Sequence, residues 1–166
     1  MRPTLRMVAS SADAPERART EGVSEVASEP FQLRWSDSFE TGNAEIDAVH
    51  RKLILDCNIL LAMISSGSSW AMITARAKRV VEDCIAHFKL EESILARSQF
   101  SRLAEHKVEH KRLEEEMRSA LARIENREEL FVDRVEHARW LGGLLINAIV
   151  RNDLDFRSHI LNEQGR

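Results

Sequence analysis

Four long stretches of this chain repeat apolar residues every three or four positions, and this spacing is its strongest constraint on the fold. The stretches run from about 44 to 65, 70 to 97, 101 to 126 and 128 to 160, while strand-like alternation is nearly absent. Apolar residues at this spacing share one face of an α-helix. Four such helices joined by short connections are typical of a bundle. The sequence therefore predicts an all-α, up-down-up-down four-helix bundle.

The residues before these stretches divide into two parts. Residues 1–30 are rich in Ala, Ser, Arg and Glu and show no sustained periodicity, which is typical of a disordered leader. Aromatic residues begin at Phe31, and we expect an N-terminal arm that Trp35 anchors on the bundle. The predicted organisation is a leader over 1–30 and a four-helix bundle over 31–166.

The overall charge and hydropathy argue against two classes of partner. The chain has 24 basic and 27 acidic residues, interspersed, with a formal net charge of −3, so it lacks a basic stripe for nucleic acid. No run approaches the roughly 18 to 20 consecutive apolar residues of a membrane span. We therefore expect a cytoplasmic protein without a nucleic-acid or membrane partner.

The chain contains two cysteines, Cys57 and Cys84, which lie within the apolar helical patterns and lack CxxC spacing. Buried thiols are the simpler interpretation of such residues. A redox pair is the alternative, because the sequence does not measure the separation of the two sulfur atoms.

Two pairs of metal-binding residue types lie four positions apart on the predicted second and third helices. His87 and Glu91 form one pair, and His106 and His110 form the other. Residues four apart lie one turn apart on the same helix face. Their apolar neighbours place both faces toward the bundle interior, where an ionisable group is costly unless it is paired or bound to a metal.

The first and fourth helices add one residue each, His50 and Asp153, on their apolar stripes. A single histidine on such a stripe is more often a hydrogen-bonded core residue than a ligand. Four of the six histidines on inner faces, together with two carboxylates, instead favour a metal site for iron, zinc or manganese. The other two, His137 and His159, are expected on the surface.

Three motifs, "IDAVH" (46–50), "HFKLEE" (87–92) and "HKVEH" (106–110), followed by a carboxylate near the end of the last helix, resemble the bacterial hemerythrins and hemerythrin-like domains. The resemblance covers about residues 31 to 160. It implies a non-haem di-iron centre, with two iron ions joined by an oxo or hydroxo bridge, which in that family binds dioxygen reversibly.

The resemblance also assigns roles to residues. The positions that match the family's ligands are His50, His87, Glu91, His106, His110 and Asp153. The histidines of the first two helices would hold the iron that receives dioxygen, and those of the third helix would hold the other iron. The two carboxylates would bridge the ions, and Phe88 would help line a dry pocket. Asp47 and Glu92 would lie near the ligands or on the surface.

The sequence departs from the family pattern at one ligand position. A fifth histidine, five residues before the bridging Asp, is here Ala148, and the neighbouring Asn147 would point about 100° away on a helix. The second iron would then have an open position, or the site would hold iron less tightly.

The resemblance favours an oxygen-binding or sensing protein over an enzyme. Its ligand would be dioxygen or another diatomic such as nitric oxide, bound for storage, delivery or sensing, and a sensor would need an unidentified signalling partner. One alternative is an oxidase or peroxidase-like activity at the open position. Another is a degenerate, metal-free bundle that acts as an interaction module.

Overall fold

The computed structural model describes residues 32–126, 128, 130–149 and 156–164 of the chain. The described residues form helices and no strands, in agreement with the predicted all-α class. A 3₁₀-helix over Asp37–Phe39 precedes α1 (Ala44–Ser65), α2 (Trp70–Arg97), α3 (Leu103–Glu125), α4 (Phe131–Asn147) and α5 (Arg157–Gln164). No described helix has an apolar run long enough to cross a bilayer.

The four long helices pack in sequence order around a shared core. α1 contacts α2, α2 contacts α3, α3 contacts α4, and α4 returns to contact α1, as in the predicted four-helix bundle. Most of the fully buried apolar side chains belong to one core cluster between these helices. A smaller cluster at one end joins the start of α1 and the end of α2 to Phe156 and Ile160. Each fully buried large side chain stabilises such a core by about 1.5 to 3 kcal/mol.

The start of α1 is fixed by hydrogen bonds that the sequence indicated in part. Asn43 caps the helix, because its Oδ1 accepts hydrogen bonds from the backbone N–H groups of Glu45 and Ile46 at 3.0 and 3.1 Å. The buried Asp47 accepts two more at 2.8 Å, from the backbone and the hydroxyl of Thr41. Asp47 therefore holds the incoming loop against the first turn of α1.

The residues before α1 form the predicted N-terminal arm. Leu33 is buried, and its N–H and C=O groups pair with the side-chain amide of Asn58, each at 2.8 Å. Trp35 packs against the core, and the guanidinium of Arg51 lies 4.3 Å from its ring centroid. The arm thus runs along α1, while the predicted leader, 1–30, lies outside the described residues.

Among the described residues, the predicted fourth helix over about 128–160 corresponds to two helices, and residues 150–155 between them lie outside the description. α4 ends at Asn147, and a separate short helix, α5, begins at Arg157. The backbone N–H of Ala148 is shared between the carbonyls of Leu144 and Leu145, and Ala148 and Ile149 widen into a π-helical turn. A π-turn breaks the regular hydrogen-bond ladder, and the apolar periodicity of the sequence does not show such a break.

Both cysteines are free thiols, and neither side chain is exposed to solvent. Burial raises the pKa of Cys57 to about 12 and also raises the pKa of Cys84. Both groups therefore stay protonated at neutral pH, which agrees with the interpretation of buried thiols and gives them little nucleophilic character.

The glycine pair in α4 has two different environments. A Cβ added at Gly142 would lie 2.9 Å from Sγ of Cys57, whereas one added at Gly143 would meet no atom of the described residues within 4 Å. Gly142 is therefore needed where α4 approaches α1 closely, and Gly143 serves no such contact.

We predict opposite effects for alanine at these two positions. Gly143→Ala should raise the free energy of unfolding by about 0.5 to 1 kcal/mol, because alanine is the better helix former. Gly142→Ala should lower it by about 1 kcal/mol or more, because overpacking against Cys57 outweighs that gain. Denaturant unfolding measures both variants. A double-mutant cycle with Cys57→Ala should show favourable coupling to Gly142→Ala, and equal effects of the two glycine variants would contradict this account.

Candidate metal centre

The Glu91 carboxylate lies at the meeting point of three of the predicted histidine ligands. Glu91 has no solvent exposure, and its Oε2 lies 3.3 Å from Nε2 of His87 and 3.5 Å from Nε2 of His110. Its Oε1 lies 3.4 Å from Nε2 of His106. Because residues four apart share a helix face, α2 and α3 each present a pair of these groups to the same space.

His50 joins the same group from α1. Its Nε2 lies 3.1 Å from Nε2 of His87, close enough for one ring to donate a hydrogen bond to the other. Both rings are almost completely buried. The structure therefore brings five of the six predicted ligand residues together, while Asp153 lies outside the described residues.

The remaining two histidines, His137 and His159, were predicted on the surface, and both are only partly exposed. His159 on α5 is half-buried, and its Nε2 donates to the backbone carbonyl of Ser98 at 2.9 Å. It also contacts Phe100, with ring centroids 5.2 Å apart. His159 therefore ties α5 to the end of α2. His137 is half-buried on α4.

The residues of this group fit a metal cation. Both Glu91 carboxylate oxygens and Nε2 of His106 are buried and make no hydrogen bond with any residue that the structure describes. One ligand atom each from Glu91, His106 and His110 lies within 4.8 Å of the others. An ionised carboxylate without a compensating partner is strongly disfavoured in a protein interior. A cation between the carboxylate and the imidazoles would remove that penalty, and nitrogen with oxygen ligands suits iron or zinc.

Glu92 orients one of the histidines from outside the group. Nδ1 of His110 donates to Oε1 of Glu92 at 3.0 Å, and Nζ of Lys107 lies 3.7 Å from the other Glu92 oxygen. With its proton on Nδ1, His110 turns an unprotonated Nε2 toward Glu91, which is the tautomer that a metal ligand requires. The sequence had left Glu92 either near the ligands or on the surface, and the structure places it beside a ligand.

Aromatic rings surround the imidazoles of α3. Phe88 stacks on His110, with centroids 4.2 Å apart and planes 15° apart, as expected for a residue lining a dry pocket. Phe156 meets the ring of His106 edge-on at 5.5 Å, and Phe100 does the same at 6.4 Å. Phe100, which lies in the connection between α2 and α3, was not among the predicted site residues. The sequence did contain a signal for it, namely a large apolar residue in the connection between two predicted helices.

The fold and these contacts define a class, a helical bundle with a buried cluster of cation-binding side chains. A family model described as the hemerythrin HHE cation binding domain matches residues 41–165. The chain therefore belongs to the hemerythrin family, as its motifs indicated. Membership indicates a metal-binding protein, and iron is the typical cation of the family.

Known relatives agree with this assignment over part of the chain. Hemerythrin-like proteins from Naegleria gruberi and Naegleria fowleri are each 35% identical to the chain over 81 residues. The aligned region covers 49% of this chain and 62% of each relative. No solved structure gives a significant match.

The burial of Glu91 predicts a conflict between stability and metal binding. Glu91→Met should raise the free energy of unfolding of the metal-free protein by about 1 to 4 kcal/mol, because it removes a buried charge and keeps the side-chain length. The same variant should lose the stabilisation that added iron gives the unaltered chain. Chemical unfolding with and without iron measures both effects.

Glu82→Met is the matched control, since Glu82 is exposed on the same helix and should change stability by less than about 0.5 kcal/mol. A large destabilisation of the metal-free protein by Glu91→Met would contradict the prediction. It would mean that Glu91 forms a structural ion pair with protonated histidines.

Proposed function

We propose that this protein is a cytoplasmic, hemerythrin-like di-iron protein that binds dioxygen or another diatomic such as nitric oxide, for storage, delivery or sensing. The observation that carries the proposal is the convergence of three buried imidazoles on Glu91, with a fourth, His50, against His87; the two Glu91 oxygens have no hydrogen bond from the described residues. A purely structural core has no physical reason to gather these groups.

The contacts suggest how the ligands divide between two iron ions. His50 and His87 adjoin each other, and His106 and His110 form the second pair, with ring centroids 4.2 Å apart. Glu91 lies between the pairs and would bridge the ions. Asp153 would be the second bridge, on the resemblance to the family alone.

Bound iron would supply the electrons with which a diatomic ligand is held. The protein's own side chains would keep that site dry and fixed. Phe88, Phe100 and Phe156 exclude water from the imidazoles of α3, and Glu92 holds the proton of His110 at Nδ1. A dry surrounding limits the loss of a reduced ligand to solvent and protons.

Iron analysis tests the proposal directly. Protein produced with added iron should hold about two iron ions per chain, as expected for a di-iron carboxylate bundle, and its absorption should change when the reduced form meets dioxygen. His106→Ala should lower the iron content. His137→Ala should leave it unchanged, because His137 lies outside the cluster. An iron content near zero, or absorption that ignores both dioxygen and nitric oxide, would overturn the proposal.

The alanine at position 148 favours a second candidate function. It is buried, and its methyl group has no atom that could coordinate a metal. If the family's fifth histidine belongs here, one iron keeps an unfilled position, as in catalytic metal sites. The second candidate is therefore an oxidase or peroxidase-like activity.

Ala148→His separates the two functions. If the open position is catalytic, the variant should lower peroxide turnover by about tenfold or more and prolong retention of dioxygen, because the added imidazole occupies the position. Asn147→His is the control, since its side chain points about 100° away around the helix. Turnover and retention should be followed together with iron content. If Ala148→His changes neither, the enzymatic candidate fails.

A further inference from the structure

A pocket of about 210 Å³ lies between α1 and α2, and one of its walls is the proposed ligand His87. Val49, Leu53 and Leu90 supply apolar walls. Leu53 and His87 are 0% and 2% exposed and mark the inner end, whereas the exposed Ala86 marks the outer end. The pocket therefore connects the protein surface with the α2 side of the metal centre.

Charged side chains at the outer end of this pocket neutralise one another. Nζ of Lys52 lies 2.6 Å from a carboxylate oxygen of Asp83 and 2.7 Å from one of Asp56. Arg76 binds the other oxygen of Asp56 at 2.9 Å. Arg79 adds a third cation 4.0 Å from Asp83, and the pairs made by Lys52 and Arg76 join α1 to α2 beside the pocket. The two residues of opposite charge that line the pocket itself, Lys52 and Asp83, are paired with each other.

The size and polarity of the pocket select for a small neutral guest. A water molecule occupies about 30 Å³ in the liquid, so 210 Å³ holds only a few molecules of that size. Pockets for drug-sized ligands are roughly 300 to 1,000 Å³. An anion would lose hydration against Val49, Leu53 and Leu90, and the cation that lines the pocket, Lys52, is already paired with two carboxylates. An uncharged diatomic molecule would lose little hydration free energy on entering the pocket.

We propose that this α1–α2 pocket binds small uncharged gas molecules and is the route by which they reach the His87 side of the centre. Binding by the pocket stands on the geometry alone, and the access role rests on the proposed function. Ala86 at the outer end and Leu90 along the wall determine how wide the route is. The pocket is separate from the wider surface groove that Met63 and Met72 line farther along the same two helices.

Xenon binding to the metal-free protein tests the pocket without any iron. Xenon enters small apolar cavities, so xenon pressure should shift the methyl resonances of Val49, Leu53 and Leu90. Ala86→Trp should abolish these shifts by filling the outer end. Ala75→Trp is the matched control, because Ala75 is also exposed on α2 but lines the other groove. Xenon shifts that are absent, or that persist in Ala86→Trp, would overturn the proposal.

Nitric oxide association with the iron-loaded protein tests the access role. Ala86→Trp should slow association by about tenfold or more in stopped-flow measurements and slow dissociation similarly, leaving the equilibrium affinity within about twofold. Ala75→Trp should change neither rate. Ala86→Phe, a smaller replacement, should give an intermediate rate and guards against misfolding of the tryptophan variant. An unchanged association rate in both Ala86 variants would overturn the access role.

Iron content measured on the same samples distinguishes this failure from failure of the proposed function. A chain that binds no iron overturns the proposed function and the access role together. A chain that binds iron and nitric oxide at an unchanged rate in the Ala86 variants overturns the access role and leaves the proposed function standing.

Discussion

The buried charge of Glu91 is the constraint on which the rest of the site depends. A carboxylate with no solvent exposure and no hydrogen bond from the described residues is unstable unless positive charge comes close. Imidazoles from α2 and α3 lie 3.3 to 3.5 Å from its oxygens, yet neither oxygen has a hydrogen bond from the described residues. The arrangement is balanced when a cation lies among these groups, which is the condition that a cation-binding domain of the hemerythrin family meets.

The bundle around this charge is built to hold the imidazoles in place. Phe88 stacks on one face of His110, while Glu92 accepts its Nδ1 proton from the side. The stacking fixes the tilt of the imidazole ring, and the hydrogen bond fixes its tautomer. Metal ligands held in this way lose less entropy on binding, so rigid helices suit the task better than loops. Beside this core, the regular α-helix changes into a π-helical turn at Ala148.

Much of the fold and site followed from helical periodicity. The bounds of α1 and α2 agree with the sequence prediction, and His87 meets Glu91 because a helix repeats its faces every 3.6 residues. The end of α4, the turn of His159 toward Ser98 and the bond from His110 to Glu92 did not follow in this way. They depend on tertiary packing and on side-chain direction, which spacing along one helix does not specify. The place of Asp153 stays a prediction.

The ion pairs between α1 and α2 lie apart from the path that we propose for gas molecules. Lys52 and Asp83 pair on the outer flank, where water screens them and the pair contributes little, whereas the buried Asp56 is held by both Lys52 and Arg76. Deeper in the same interface lie Leu53 and His87, which are buried. Because the ion pairs lie at the outer end, the inner part of the proposed path is apolar. An uncharged gas molecule would therefore pass along it with little loss of hydration free energy. An ion pair placed beside His87 would instead compete with the centre for its carboxylate and draw water toward it.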